Sequence, residues 1–204
     1  MSREILVLYY SRHGSTGALA EAVATGVESV QDCSARVRTV PEVAAKTAGR
    51  QPAVPAAGPP YAERGDLSDC AGIVLGSPTR FGNMAAALKH FIDGTSSEWL
   101  SGTLSGKPAG VFTASSSPHG GQESTLLSMV LPLIHHGMVW VGVPYRVAEL
   151  TTTDGGGGPY GASHVSGADG VTTLTAAERS IARALGARVA RAARVLAGGA
   201  IDRD

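Results

Sequence analysis

Short apolar runs alternate along the chain with longer segments whose apolar positions recur at helical spacing. The runs that we predict as strands are Ile5–Tyr9, Ala35–Val40, Gly72–Ser77, Ala109–Ala114 and Met138–Val143. Helical spacing is found in Thr16–Val30, Met84–Asp93, Ser124–His135 and a last segment that begins near Thr175. This alternation predicts an α/β fold, a doubly wound five-stranded parallel sheet with helices on both faces.

Two local signals refine the helix predictions. Thr175 and Glu178 have the spacing of a capping box, which predicts where the last helix begins. Pro132 lies inside the Ser124–His135 pattern and has no backbone N–H to donate. We therefore expect that helix to kink or split at the proline.

Two long segments exceed what a five-stranded sheet needs. Residues 41–69 are rich in proline and alanine, and residues 144–174 are rich in glycine. Segments of this length are usually functional or disordered, so mobile linkers and partly ordered interface segments are both open interpretations. We expect one domain over residues 1–204, with insertions near 41–69 and 144–174.

Composition narrows the class of protein. Hydrophobic residues make up 43% of the chain and charged residues 17%, which is typical of a globular domain. Lys plus Arg and Asp plus Glu are equal at 17 each, so we expect no nucleic-acid or membrane partner. No apolar run is long enough to span a membrane. Two isolated cysteines, Cys33 and Cys70, suit a reducing cytoplasm.

Candidate chemistry follows three of the predicted strands. With strand order 2-1-3-4-5, ligands bind beyond the carboxyl ends of the strands, where the order reverses. The segments there are 11–17, 78–84 and 115–123. The first is rich in hydroxyls and glycines, has no lysine and leads into a helix, which favours a held phosphate monoester. Each segment alone could be an ordinary turn, but together they predict a flavin mononucleotide (FMN) site.

Other ligand classes fit the sequence poorly. The 102–107 segment has the wrong spacing for a P-loop, and Pro108 stands where the motif needs Ser or Thr. No G-x-G-x-x-G follows the first strand, and no clustered His, Cys, Asp or Glu has metal-ligand spacing. We therefore expect no metal.

The chain resembles the WrbA family, the type IV NAD(P)H:quinone oxidoreductases of flavodoxin-like fold. The strings that carry the resemblance, in order, are Leu8–Ser11, Gly76–Met84, Gly120–Glu123, His135–Met138 and Pro159–Ala162. They extend over nearly the whole chain, and the Pro78–Met84 string is the most specific of them. The resemblance implies FMN as cofactor, NADH or NADPH as co-substrate, a quinone as second substrate and a homotetramer.

It also implies roles for individual residues. The implied cofactor-binding residues are Ser11, Arg12, His13, Gly14, Ser15, Thr16, Pro78, Thr79, Arg80, Phe81, Gly82, Ala114, Ser115, Ser116, Ser117, Pro118, His119, Gly120 and His135. His135 would also be catalytic, as a hydrogen-bond partner of the flavin or a proton donor to the quinol oxygen. Trp99 and His13 would contact substrate, although Trp99 could instead anchor an interface.

The chain departs from the family pattern at two places. His13 stands where the family often has tyrosine, so contact with phosphate, contact with substrate and plain exposure to water all stay open. The loop Ser115–His119 is one residue longer than in typical members, which leaves its individual flavin contacts uncertain by one position.

The predicted function is two-electron reduction of a quinone to a hydroquinone by NADH or NADPH, with ping-pong hydride transfer through flavin N5. This would make the protein an NAD(P)H dehydrogenase (quinone). The alternatives are a one-electron carrier of the flavodoxin type and a regulatory or binding protein without turnover. Carriers of that type tend to be strongly acidic, whereas this chain has no net charge.

Overall fold

A computed structural model describes residues 2–44 and 55–196. Its strands are β1 (Arg3–Tyr9), β2 (Cys33–Thr39), β3 (Gly72–Pro78), β4 (Pro108–Ser115), β5 (Val139–Trp140) and β6 (Ala162–Val165). Its helices are α1 (Ser15–Glu28), α2 (Arg64–Asp69), α3 (Ala86–Asp93), α4 (Ser96–Leu100), α5 (Gln122–His135), α6 (Glu149–Thr152) and α7 (Ala176–Leu196). Among the described helices, none is both long enough and apolar enough for a membrane span.

The sheet is parallel with strand order β2-β1-β3-β4-β5, which confirms the predicted doubly wound fold. β6 was not predicted. It pairs with the end of β4, from Phe112 to Ser115, whereas β5 pairs with the beginning of β4 at Pro108 and Ala109. The predicted fifth strand is therefore only two residues long, and β5 and β6 share one edge position.

Alternate residues of β1 face two separate apolar layers. Ile5 and Val7 pack in a cluster with α1 and α7, and Leu6 and Leu8 pack in a cluster with α3 and α5. This alternation is the two-residue period of a strand that is covered on both faces. The layers hold the sheet rigidly, so the loops at its carboxyl edge leave from fixed points.

Two helix predictions have different outcomes. The capping box is confirmed, because the Glu178 N–H donates to Thr175 Oγ1 (3.1 Å) and the Thr175 N–H donates to Glu178 Oε2 (2.9 Å). Of the kink or split expected at Pro132, the split is excluded because α5 continues through the proline to His135, and the kink stays a prediction. Pro132 lies in the last turn, where the loss of a single N–H leaves most of the helical hydrogen bonds intact.

The two long segments contain more structure than a linker. The first segment ends in α2, and its Tyr61 forms a parallel bridge with Thr39. Residues 45–54 of this predicted insertion lie outside the described residues. In the second, Gly156 lies so close to β6 that a Cβ atom there would be 2.2 Å from the Ser163 carbonyl oxygen. The glycines of this segment thus allow close backbone packing.

Candidate functional site

A cavity of about 490 Å³ lies at the carboxyl edge of β1, β3 and β4. Its lining residues are Ser11, Arg12, His13, Ser15, Thr16, Pro78, Thr79, Arg80, Phe81, Ala114, Ser115, Ser116, Gly120, Ser166, Gly167, Ala168 and Gly170. The three loops that the sequence singled out therefore meet at one place. The volume is in the range of sites for drug-sized ligands and cofactors.

The loop after β1 presents the amino end of α1 to this cavity. Gly14 takes a left-handed conformation (φ 95°), and its N–H donates to Ser11 Oγ at 3.1 Å. The first intrahelical bond of α1 runs from the Ala18 N–H to the Gly14 carbonyl (2.9 Å). The N–H groups of Ser15 and Thr16 precede it and have no intrahelical acceptor. These amides, two hydroxyls and the positive end of the helix dipole suit an anion.

The loop after β3 forms the aromatic part of the rim. Arg80 and Asn83 exchange backbone hydrogen bonds of 2.8 and 3.0 Å, which closes a tight turn. Within this turn Phe81 and Gly82 have positive φ angles of 51° and 76°. A non-glycine residue in this region is strained, and the Phe81 side chain is also fully exposed. The exposed phenyl ring gives the cavity mouth an apolar surface that a flat ligand could contact.

Thr79 is fixed from three sides at the cavity wall. Its N–H donates to the Ala114 carbonyl (2.9 Å), and its hydroxyl lies 3.3 Å from Thr113 Oγ1. The Thr125 hydroxyl donates to Thr79 Oγ1 at 3.2 Å. Because β4 and α5 both hold it directly after the end of β3, Thr79 is a rigid part of the wall.

The loop after β4 is held by a chain of side-chain hydrogen bonds. Ser115 Oγ donates to the Ser117 carbonyl (2.8 Å) and accepts from Gln122 Nε2 (2.8 Å). Gln122 Oε1 in turn accepts from the Ser163 hydroxyl (2.9 Å). This chain ties the loop to β6, so that Ser116 and Gly120 face the cavity in a defined arrangement.

The fourth wall, the segment 166–170 after β6, was not predicted from the sequence. The Ser166 N–H and hydroxyl both donate to the Ser115 carbonyl, at 2.9 and 3.2 Å. Gly167 and Gly170 have positive φ angles of 68° and 67°, which turn the segment over the cavity. The only sequence signal was the pair of glycines in Ser-Gly-Ala-Asp-Gly, which resembles any loop.

Some predicted cofactor residues belong to these loops without lining the cavity. They are Gly14, Gly82, Ser117, Pro118 and His119. Gly14 and Gly82 shape their turns through positive φ angles, and the other three lie on the exposed outer part of the loop after β4. Their direct contact with a cofactor stays a prediction.

His135 and Trp99 lie elsewhere in the chain. They share a second depression of about 360 Å³ with Thr95, Pro132 and His136. The amino end of α5 lies at the cavity, since Gly121 packs against Gly82, whereas His135 is the last of its 14 residues. At 1.5 Å per residue this separates the two ends by about 20 Å. His135 therefore does not reach the cavity of its own chain.

His136 has a structural environment. Its Nε2 atom lies 3.0 Å from the Thr95 hydroxyl, at the end of α3. Burial lowers the pKa of His136, although the nearby Glu98 carboxylate opposes the shift. His136 therefore acts as a neutral ring that links the end of α5 to the segment after α3.

The donor set of the cavity fits FMN. A phosphate needs N–H and O–H donors at a positive end, and the loop after β1 supplies them. A flavin ring needs polar groups along one edge and apolar contact on the other, and the loops after β3 and β4 supply both. The Arg12 and Arg80 side chains add positive charge at the exposed rim; Arg12 lies 3.4 Å from Glu42.

Comparisons with known proteins agree with this geometry. The sequence model of the family described as "NADPH-dependent FMN reductase" matches residues 4–152. A protein of Trichlorobacter lovleyi named NAD(P)H dehydrogenase (quinone) is 44% identical over 92% of this chain and 96% of its own length. One of the same name from Acidithiobacillus ferrooxidans is 45% identical over 97% of this chain and 100% of its own.

Solved structures give the same result. The WrbA-like flavodoxin protein of Agrobacterium tumefaciens superposes with a TM-score of 0.66 at 28% identity, covering 95% of this chain and 99% of that one. Oxidised flavodoxin 1 of Bacillus cereus, at 16% identity, has a TM-score of 0.59 over 92% of this chain and 97% of its own, and supports the fold alone. The chain therefore belongs to the NADPH-dependent FMN reductase family, and its resemblance to the WrbA-type proteins is confirmed.

Proposed function

We propose that this protein binds FMN and reduces quinones to hydroquinones in a two-electron reaction, with NADH or NADPH as donor. The observation that carries the proposal is the cavity itself, where the amino end of α1 and three further loops form an anion site beside a slot with an aromatic rim. The relatives named NAD(P)H dehydrogenase (quinone) support the activity.

The residues of the cavity would divide the work of holding FMN. The Ser15 and Thr16 amides and hydroxyls would bind the phosphate, with Ser11 shaping their turn. The backbone around Thr79–Phe81 and Ser115–Gly120 would contact the ring system. When bound, FMN supplies the site that accepts and returns a hydride, and the protein orients the reactants.

The open side of the cavity would receive the two substrates in turn. Phe81 offers an apolar face at the mouth, and Arg12, His13 and Arg80 surround it with cationic or polar groups. This combination suits an anionic nicotinamide dinucleotide as well as a flat, uncharged quinone. Because both substrates would use the same face, the first product must leave before the second substrate binds.

Steady-state kinetics test this function. With purified protein loaded with FMN, oxidation of NADH or NADPH at several benzoquinone concentrations should give parallel double-reciprocal lines. Intersecting lines would contradict the shared face. A one-electron carrier would instead need a protein partner for turnover, and a regulatory protein without turnover would remain inactive under every condition.

We also propose that the protein acts as a homotetramer in which a second chain completes each site. Leu127, Leu131 and Ile134 form an exposed apolar stripe along α5. Two copies of α5 packed antiparallel would cover this stripe and bring His135 of one chain to the cavity rim of the other. Trp99 lies in the same depression as His135 and would approach that cavity together with it.

A cytoplasmic location belongs to the same proposal. Cys33 and Cys70 are both free thiols, which suits a reducing compartment. The equal numbers of acidic and basic residues give no general attraction to nucleic acid or to anionic lipid. Separation of cell extract into cytosol, membrane and nucleic-acid fractions would test the assignment, with recovery in the cytosol as the expected result.

A further inference from the structure

A buried ion pair lies directly behind the fourth wall of the cavity. His164 in β6 and Glu178 in the first turn of α7 are each 1% exposed, and His164 Nδ1 is 2.9 Å from Glu178 Oε2. Glu178 Oε1 also accepts from the N–H groups of Gly156 (3.0 Å) and Val165 (2.9 Å). None of these groups is needed for the proposed hydride transfer.

The second ring nitrogen of His164 shows which protonation state the structure requires. Nε2 lies 2.7 Å from the Val171 carbonyl oxygen, which can only accept a hydrogen bond. The carboxylate at Nδ1 is likewise an acceptor. Both nitrogens must therefore carry a proton, so the arrangement is complete only with an imidazolium.

Val171 connects this ion pair to the cavity. Its N–H donates to the Ser166 carbonyl (2.7 Å), which closes the segment 166–170 into a loop. The next residue, Thr172, lies beside the loop after β1. A Cβ atom added to Gly14 in that loop would be 3.2 Å from the methyl group of Thr172. His164 thus holds the point where the fourth wall returns to the amino end of α1.

Loss of one proton would loosen that point. The neutral ring keeps the Nδ1 proton, because a hydrogen bond to a carboxylate is stronger than one to a carbonyl. Nε2 then presents a lone pair to the Val171 oxygen and repels it. Glu178 is the charged group that faces the ring, since neither Asp169 on the segment nor Asp154 before β6 makes an ion pair with His164.

We infer that His164 is a positioning residue that, when protonated, holds the segment 166–171 in place over the cofactor cavity. The inference rests on the proposed function only in naming FMN as the ligand. It gives cofactor binding a pH dependence whose origin is a group outside the cavity.

The direction of that dependence follows from the surroundings of His164. Burial by itself lowers the pKa of His164, but the hydrogen bonds to Glu178 and Val171 outweigh it and raise the pKa above its usual value. The protonated, holding form is thus fully present below the usual histidine pKa. It is lost as the pH rises through the raised value, in the neutral to alkaline range.

FMN affinity measured against pH tests the inference. In the wild type, quenching of FMN fluorescence should show binding that weakens by about tenfold as His164 loses its proton, the effect of one charge-assisted hydrogen bond. His164→Gln should bind weakly at all pH values, with that dependence absent. His90→Gln, the same change at an exposed histidine on α3, should keep the wild-type profile. A purely structural role would weaken binding in His164→Gln and leave the pH dependence in place.

Hydrogen exchange in the wild-type apoprotein supplies a readout that needs neither FMN nor a variant. Exchange of the Val171 amide, corrected for the intrinsic pH effect, should accelerate over the pH range in which the His164 ring titrates by NMR. Constant protection there would overturn the inference, as would wild-type FMN affinity that does not change across the titration. Absence of FMN binding at every pH would instead defeat the proposed function and, with it, the role of His164 toward FMN.

Discussion

Phe81 combines two costs that a purely structural residue would avoid. Its backbone is in the left-handed region at φ 51°, and its phenyl ring is exposed at the mouth of the cavity. Left-handed backbone costs a residue with a side chain on the order of 1 kcal/mol. We interpret this cost as the consequence of placing an apolar surface where the substrates bind.

Phe81→Gly should therefore stabilise the apoprotein while impairing turnover. Glycine removes the left-handed strain and loses no buried contact, so we expect the free energy of unfolding to rise by about 1 kcal/mol. Quinone reduction should fall because the apolar rim is gone. Urea unfolding of the apoprotein and steady-state assays measure the two effects.

Leu100→Gly is the matched control for this change. Leu100 is another exposed apolar residue, but it ends α4 in helical geometry. Glycine there should lower the free energy of unfolding by up to about 1 kcal/mol. Equal destabilisation of both variants would show that glycine relieves no strain at position 81 and would contradict this interpretation of Phe81.

At the scale of elements, α1 and α7 approach so closely that their backbones touch. A Cβ atom on Gly26 would lie 2.1 Å from the Arg183 carbonyl oxygen, and one on Gly186 would lie 2.1 Å from that of Val23. Each helix therefore has a glycine at the crossing point. The contact fixes α1, whose amino end is the anion site, on a rigid base.

Gly26→Ala should destabilise the fold by about 3 kcal/mol, because backbone atoms cannot move aside as side chains do. Since α1 would have to shift, FMN binding should also weaken. Thermal or urea unfolding and FMN titration measure the two effects.

The same substitution in open space is the control. Gly65 lies in α2, where, apart from its chain neighbours and its own helix backbone, no atom comes within 4 Å of a Cβ atom added to it. Gly65→Ala should be neutral or stabilising by up to about 1 kcal/mol. Equal stability of the Gly26 and Gly65 variants would contradict the tight crossing of α1 and α7.

The elements that the sequence predicted are those with long, regular patterns. β1 and α1 were found because Ile5–Tyr9 is almost wholly apolar and a helical stripe follows it. β6 was missed because four residues inside a glycine-rich segment carry no periodic signal. The predicted fifth strand was too long, because only pairing with the beginning of β4 decides where it ends.

At the scale of the whole molecule, the exposed apolar stripe on α5 is a surface that the described part of a single chain leaves uncovered. Leu131 lies at its centre and is 64% exposed. Leu131→Asp should split the proposed tetramer, since a carboxylate cannot be buried without a partner. It should also lower kcat, on the order of 100-fold if His135 of a second chain donates a proton in the reaction.

Light scattering coupled to size-exclusion chromatography measures the assembly, and quinone assays measure kcat. Val195→Asp is the control. Val195 is an exposed aliphatic residue like Leu131, but it lies on α7. It should keep both the mass and the activity. A wild-type protein that is monomeric in solution would contradict the role proposed for α5.

The candidate site shows why sequence alone identified its parts unevenly. Ser11, Thr16 and Thr79 were found because they follow buried strands, and parallel strands bring their carboxyl ends together. His135 was predicted only through family resemblance, since nothing local to it indicates a ligand, and its role stays a prediction. Its position about 20 Å from the cavity of its own chain follows from the length of α5, which no local pattern at His135 encodes. The single-domain organisation over residues 1–204 stays a prediction.

The central claim is that the amino end of α1 holds FMN through its phosphate, and comparison of FMN with riboflavin tests it most directly. Riboflavin has the same ring system and lacks the phosphate. In fluorescence titrations of the apoprotein, FMN should bind on the order of 100-fold more tightly than riboflavin, because the Ser15 and Thr16 donors would have no anion to bind. Equal affinity for the two flavins, or binding of neither, would contradict the account.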